Sequence, residues 1–466
     1  MSAGHIIGIV ITFLAIIGIS FYSGRKVKSG SDFDSASGNA SAGIVMGALL
    51  GTLVGGSSTV GTAQLAYTFG MSAWWFTLGG GIACLLLAIF FVKPLRASKA
   101  VTLVGIISDT YGEKAGMAAS ILSSIGTFIN ILSQLIAATA IIEIILPNIS
   151  LVLSMAIAMI LMIIYVVFGG MLSIGNVGLM KLILLFVAVI AGGGFVLYHA
   201  NGISLLWNNL DHDTYFNLFA RGVGVDGGAG LSLILGVFST QSYASALLMG
   251  KTDQAARRGA VLSAVLIPLI GIGGILIGQY MRVTHPDLTS AKMAFPMFIT
   301  EYMPPVLAGI ILATLIITVI GTGSGLSLGI CTVINRDIVK KKTHRFDDPK
   351  KNLLFTRLLL VGILVLAAAL CICPIGDTIL NFAFMSMGLR GAVIFVPLCC
   401  ALWLKDKVDR KWILVSIIVS PIVVLVFGLL KILPFDSLFV GVLFALAACT
   451  AGVIAARKSG SQRNGH

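Results

Sequence analysis

GTLVGGSSTVGT, residues 51–62, lies in the middle of an apolar segment from Ala42 to Tyr67 and yet makes a poor continuous helix. Glycines at Gly47, Gly51, Gly55, Gly56 and Gly61 and hydroxyls at Thr52, Ser57, Ser58 and Thr59 crowd a stretch long enough to cross a bilayer. In lipid no water pairs a free N–H or C=O, so a span unwinds only where protein buries it or it lines a wet cavity. Glycine lowers the cost of unwinding, and the freed carbonyls and hydroxyls are oxygen ligands for a small cation or polar solute. Discontinuous helices of this kind mark the binding sites of many secondary transporters. The other reading is a small-residue face that packs against a neighbouring helix, and the rest of the chain has to decide.

Composition sets the class. Hydrophobic residues make up 58% of the 466, charged residues 11%, and the mean hydropathy is +1.04. That is an all-α polytopic membrane protein, since no soluble domain buries so apolar a chain. The net charge of +13 would suggest nucleic acid in a soluble protein. Here most basic residues fall in short loops between apolar spans, the positive-inside pattern. The seven cysteines all lie in apolar segments, and Cys371 and Cys373 lack histidine partners, so no metal centre or disulfide framework is expected. The stretch from Ile6 to Ser20 lacks the basic start and cleavage site of a secretory signal and reads as a retained span.

With about twenty apolar residues needed per crossing, thirteen spans are expected, near 5–24, 42–67, 73–92, 116–146, 150–170, 175–198, 227–250, 259–281, 304–333, 353–373, 376–403, 412–432 and 436–456. Loops 25–41, 93–115, 251–258, 334–352 and 404–411, with the tail after 456, hold 24 of the 31 Lys and Arg residues. In the thirteen-span count all of them fall on one side. The asymmetry places the N-terminus outside and the C-terminus in the cytosol of a plasma (inner) membrane protein. The longest outer loops, about 199–226 and 282–303, are expected to hold short interfacial helices or a lid.

Several separated motifs then resemble the sodium/solute symporter family, which contains bacterial proline, galactose and sialic-acid transporters. GRKVKSGSDF from Gly24 is similar to the run after that family's first helix, and AYTFG (66–70) to the close of its first core helix. VFGGMLSI (167–174) resembles the start of its fifth core helix, and AARRGA (255–260) the loop after its sixth. GTGSGLS from Gly321, with Asn335–Ile338, stands in the place of its eighth. The resemblance runs from Gly24 to about Trp403. It implies a leucine-transporter-like core of two inverted five-helix repeats and alternating access, usually coupled to sodium. The expected division is 1–41 (an extra helix and first cytosolic loop), 42–198 (first repeat), 199–403 (second repeat) and 404–466 (two further helices and a tail). The broken first and sixth core helices would meet near the midplane.

Carried over motif by motif, the resemblance implies a cation site made of the Gly51 and Val54 carbonyls, the Thr318 carbonyl, Gly321 and Thr322. The family has adjacent hydroxyl residues at the last two positions, whereas this chain keeps only Thr322. A small hard cation takes roughly six oxygens, so Ser324 or water would have to fill the gap. In the fifth core helix a family Thr-Asp pair becomes Val177-Gly178, and a glutamine becomes Lys181. An ionisable residue at that depth is a functional candidate. Either Lys181 snorkels towards the cytosol, or its ammonium takes the place of sodium. A buried amine gives up its proton more readily than a solvated one, so the second case predicts sodium-independent, proton-coupled or exchange transport.

Arg390, in NFAFMSMGLRG (381–391), is the second cation inside a span. Its fork matches a carboxylate; capping a broken helix or forming an outer gate are the other readings. The resemblance puts substrate positions at Leu53, Ser57 and Ser58, with Gln134 and Gln241 as polar groups at similar depth. The expected solute is small and polar or anionic, with a small carboxylate balancing the cations. No cofactor is expected beyond a sodium ion or, alternatively, a proton. The partners are the solute and the bilayer, with no nucleic acid and no soluble signalling domain. An enzyme is not expected, because no His, Asp, Glu or Cys cluster converges in the spans.

Overall fold

The computed structural model describes residues 2–24, 40–98, 102–169, 174–334, 349–372, 378–405, 407–430 and 433–463. Nearly all of these are helical. The helices are α1 (Ala3–Gly24), α2 (Ala42–Leu53), α3 (Thr62–Phe69), α4 (Trp75–Leu86), α5 (Val92–Ala97), α6 (Leu103–Tyr111), α7 (Glu113–Ile145), α8 (Leu151–Gly169), α9 (Ile174–His199) and the short α10 (Ser204–Asn209) and α11 (His212–Tyr215). Then come α12 (Val223–Phe238), α13 (Gln241–Leu248), α14 (Asp253–Thr284), α15 (Ala294–Tyr302), α16 (Pro305–Val333), α17 (Pro349–Ile372), α18 (Ile379–Trp403), α19 (Arg410–Leu430) and α20 (Leu438–Arg463).

Each of the thirteen expected spans falls on one of these helices or on a broken pair. Among the described residues, eight helical stretches are long and apolar enough to cross a membrane, nine counting α12 with α13, and shorter apolar helices accompany them. The loops near 199–226 and 282–303 carry α10, α11 and α15, short helices as anticipated there. Of the motifs, the loop that begins GRKVKSGSDF and the Asn335–Ile338 stretch lie outside the described residues.

Two spans are broken. The first runs α2, a gap at Val54–Gly56, a π turn at Ser57–Gly61, then α3. The second bends by 51° between α12 and α13. They run in opposite directions. Ala40, just before α2, pairs with Gly250, just after α13, through Ala40 N–H to Met249 O (3.0 Å) and Lys251 N–H to Ala40 O (2.9 Å). Their basic-loop ends are thereby tied together, as an inverted repeat requires.

Glycine sets how closely the helices approach. On α14, a Cβ at Gly278 would stand 2.5 Å from the Ala63 carbonyl and 2.8 Å from Ala66 Cβ, so α3 lies directly on the α14 backbone. On α1, a Cβ at Gly8 would meet Ile310 N at 2.9 Å, which seats α1 on α16. Without a hydrophobic drive between helices in lipid, this close backbone packing is what holds them together. Leu, Ile and Val on α9, α17 and α20 (Ile183, Ile190, Leu358, Leu443) stay exposed, as lipid-facing surface should.

Overfilling that contact gives the first prediction. Gly278→Ala loses about 1–3 kcal/mol of stability, seen as a lower thermal midpoint of the purified protein in detergent. Gly362→Ala, where a Cβ meets nothing within 4 Å, leaves the midpoint unchanged or slightly raised.

Candidate functional site

The break in the first span is closed by its own hydroxyls. Val54 is extended (φ −80°, ψ 101°). The Gly55 N–H then donates to Ser58 Oγ at 2.9 Å rather than to the Gly51 carbonyl, which loses its ladder donor. Ser58 Oγ and Thr59 Oγ1 donate back to Gly55 O at 3.0 and 2.9 Å, and Gly61 N–H reaches Gly56 O at 2.9 Å. Hydroxyls thus satisfy the backbone that the missing turn frees. Ser57 alone turns outward, with Oγ 3.3 Å from Ser133 Oγ and 3.2 Å from Gln134 Nε2 of α7.

Two helices close on this gap. A Cβ at Gly56 would stand 2.9 Å from Val319 Cγ2 on α16 and 3.1 Å from Gln134 Oε1, and one at Gly55 would be 3.4 Å from Thr322 Oγ1. The α2 end therefore abuts α16 at the level of residues 318–322. Thr322 Oγ1 donates to Thr318 O at 2.8 Å. Gln134 Oε1 and Thr318 Oγ1 are buried without a hydrogen-bond partner. Gly321 faces α8 instead: a Cβ there would lie 3.4 Å from Tyr165 Oη. Ser324 also turns to α8, donating to Met162 O at 2.9 Å.

The expected solute residues separate into three places. Ser57, Ser58 and Gln134 meet at the break, joined by Ser133 and Asn130, whose Oδ1 is 3.4 Å from Gln134 Nε2. Leu53 packs on α4, its Cδ2 2.5 Å from where a Gly80 Cβ would be. Gln241 and Arg390 stand lower, in the wall of a cavity of about 590 Å³. Gln241 bridges α13 to α6, accepting from Leu103 N–H at 2.8 Å and donating to Ser245 Oγ at 2.9 Å. The side chain of Lys181, like those of Val177 and Gly178, lies outside the described residues.

The cavity reaches from Thr102 and Glu113 at the basic-loop face up to Arg390. Ser120, Ser123, Ser124 and Thr127 give it a hydroxyl stripe on α7, at the spacing of one helix face. Arg390 is 3% exposed. Its Nε donates to Ser386 O (3.2 Å), Nη2 to Ser386 Oγ (3.0 Å) and Nη1 to Thr240 Oγ1 (2.8 Å) at the second break. It lines the cavity that reaches the basic-loop face.

The opposite face is sealed. Tyr67 Oη lies 2.7 Å from both the His285 and Pro286 carbonyls, and Tyr215 Oη donates to Tyr67 O. Gln279 Nε2 donates to Tyr215 O at 2.7 Å. Gly70, the glycine of AYTFG, has φ +54° and its Cβ position falls on the Tyr215 backbone, so a side chain is excluded twice over. Arg221 pairs with the fully buried Asp226 at 2.7 Å and reaches Ser72 and Asn381, tying the N-terminal end of α12 to the turn after α3 and to α18. Beside them Asp436 fills the groove at Gly228. Burial pushes its carboxyl above the ordinary range, against the pull of the Leu438 amide, the Ser232 hydroxyl and Arg221.

Two oppositely directed broken helices, a central cluster of oxygens and a cavity reaching the basic-loop face are the features of an inverted-repeat membrane carrier fold. The sodium:solute symporter family model matches residues 36–420, and the chain belongs to that family. A high-affinity choline transporter of Drosophila melanogaster is 25% identical over 313 residues, covering 64% of this chain and 48% of the relative. The chain thus spans about half the length of that curated relative. A sodium-coupled sialic acid symporter, solved substrate-bound and outward-open, shares the fold with a TM-score of 0.76 at 18% identity, covering 98% of each chain. An inward-facing structure of Mhp1 gives 0.57 at 13% identity, covering 90% of each. The family and these neighbours are transporters, not enzymes.

One-sided access is directly checkable. A cysteine at Ser124→Cys reacts with a membrane-impermeant thiol reagent added at the basic-loop face, and not from the other. Ala66→Cys, on the fully buried face of α3, stays unmodified from both. Equal labelling of Ser124→Cys from either side would show that the Tyr67–Tyr215 seal does not close the path.

Proposed function

We propose that this protein is a secondary active transporter that moves a small polar or anionic organic solute across the plasma membrane by sodium symport. The observation that carries the reading is the gap at Val54–Gly56. There Gly55 and Gly56 lie against Thr322 and Val319 of α16, which supports a cation site made of the Gly51 and Val54 carbonyls with Thr318, Gly321 and Thr322. With the basic loops in the cytosol and the N-terminus outside, the structure is inward-facing. Ser57 and Gln134 are the solute's polar contacts, with Ser58 holding the break beside them, and the orphaned Gln134 Oε1 is an acceptor awaiting a donor or a cation. Residues 42–198 and 199–403 are the two repeats whose relative motion opens the sealed face, and 404–466 is an addition to them.

Binding of sodium to α2 and α16 together stabilises the arrangement in which the two approach. That is how an ion gradient acts on the conformational equilibrium: it favours the state it binds better. The phenol of Tyr165 occupies the space beside Gly321, where relatives place a second hydroxyl, and offers a replacement oxygen.

A second reading keeps its place because the oxygen set is thin. Thr318 O already accepts from Thr322, and Ser324 is committed to Met162. In this reading Lys181, seven residues into α9 and so about 10 Å along it, supplies the positive charge, and transport is proton-coupled or an exchange.

The deciding experiment is uptake of a small-carboxylate panel into proteoliposomes with sodium and proton gradients imposed separately. Sodium-driven uptake is expected, with half-saturating sodium raised about tenfold in Thr322→Ala, the cost of about one oxygen ligand. Sodium-indifferent uptake that Lys181→Ala abolishes establishes the second reading instead. A wild-type protein that moves no solute under either gradient refutes both.

A further inference from the structure

Arg390 and the central cluster occupy different levels of the same path. Gly126 of α7 is the residue that makes room for Arg390: a Cβ there would stand 2.8 Å from Arg390 Cγ. Gln134, which faces the break in the first span, is eight residues further along that helix, about 12 Å. A small solute held at Ser57 and Gln134 therefore does not reach the guanidinium. Arg390 needs its own explanation.

Among the described residues its charge is uncompensated: no carboxylate lies within ion-pair distance of Arg390, and its partners are neutral, namely a carbonyl, two hydroxyls and the Met387 sulfur. Glu113 lines the same cavity but at its mouth, thirteen residues before Gly126 and about 20 Å down α7. A buried unpaired guanidinium costs several kcal/mol. Two further features beside it favour negative charge. Ser239 Oγ, 2% exposed and lining the cavity, has no hydrogen-bond partner. The N-terminus of α13 begins at the next bend, and its cap residue Thr240 makes no side-chain bond to the first turn, leaving the positive end of the helix towards the cavity. Thr240 instead donates to Gly236 O at 2.6 Å and accepts from Arg390, which fixes the guanidinium at the bend.

We propose that Arg390, Ser239 and the start of α13 form a monovalent-anion site in the inner vestibule, separate from the central cation and solute site. The ligand is either the carboxylate of a solute on its way to the cytosol or a free halide. It completes the charge of Arg390, and Ser239 donates to it. Because Thr240 sits at the bend between α12 and α13, an anion here also stabilises the bent, vestibule-open arrangement over one in which the bend has moved away from α18.

The test is direct binding of radiolabelled chloride and acetate to the purified full-length protein in detergent, at fixed sodium and with no gradient. Saturable binding of about one anion per chain is expected. Ser239→Ala weakens it about tenfold, the loss of one hydrogen bond to a charged ligand. Arg390→Gln abolishes it, and Arg390→Lys restores part of it. Acetate that binds while chloride does not identifies the solute's carboxylate as the ligand; mutual competition identifies a free-anion site. Absence of saturable binding of either probe to the wild type overturns the proposal. So does binding unchanged in Ser239→Ala, a variant too mild to endanger folding. Since no transport is required, a failed uptake experiment leaves this result standing, and the reverse holds too.

Discussion

Most of this structure follows from one demand: a peptide backbone unwound in the middle of a membrane has to find all its hydrogen bonds inside the protein. At Val54–Gly56 the chain meets it with hydroxyls three or four residues away, Ser58 and Thr59 standing in for the absent turn. That local repair works only if the segment is walled off from lipid. The walls are α7, α14 and α16, and each comes close because of what the facing residue lacks. Gly56 admits Ala137 and Val319, Gly274 admits Thr62, and Gly278 admits the Ala63 carbonyl. A glycine-rich gap and glycine-rich contact faces are therefore one device. The first exposes oxygens; the second keeps lipid away from them.

The same demand explains why the two faces differ. Where the path is closed, backbone carbonyls supply the acceptors: those of His285, Pro286, Tyr215 and Tyr67 are taken by tyrosine hydroxyls and a glutamine amide. Such bonds exchange readily for water when a face opens, so a seal of this kind is reversible at low cost. Where the path is open, serine and threonine line the wall and mostly turn their hydrogens back on their own helix, as Ser123, Ser124 and Thr127 do. That surface tolerates water without needing it.

The fold was legible in the residues because hydropathy, basic-loop asymmetry and glycine placement are all properties of a linear string. A break within residues 51–62 and the concentration of basic residues in alternate loops could be read before any coordinates. The level and rotation of side chains could not. Leu53, Ser57, Gln134, Gln241 and Arg390 each lie on a helix that borders the path. Yet one packs on α4, two meet at the break, and two stand in the vestibule wall, because a helix of known sequence can still present any face at any depth. The hydroxyl stripe from Ser120 to Thr127 is a spacing of three and four that serines also show where they merely serve helix packing, so the sequence alone does not single it out. Tyr165 carried no signal at all; only its approach to Gly321 gives it meaning.

The arginines at the second broken span sharpen the asymmetry between the faces. Arg221 and Arg390 both belong to the second half of the chain, and both touch that span, one in the loop just before α12 and one at its bend. Arg221 is neutralised by a carboxylate from its own helix neighbourhood, Asp226, and so needs no ligand. Arg390 has only neutral acceptors among the described residues. If both were structural, selection for stability alone would favour pairing both, since an unpaired buried charge is costly and a nearby acid removes that cost. The arginine left unpaired is the one that faces the open cavity. A cost of that kind is retained where a ligand relieves it, which makes the vestibule part of the binding path rather than a passive exit.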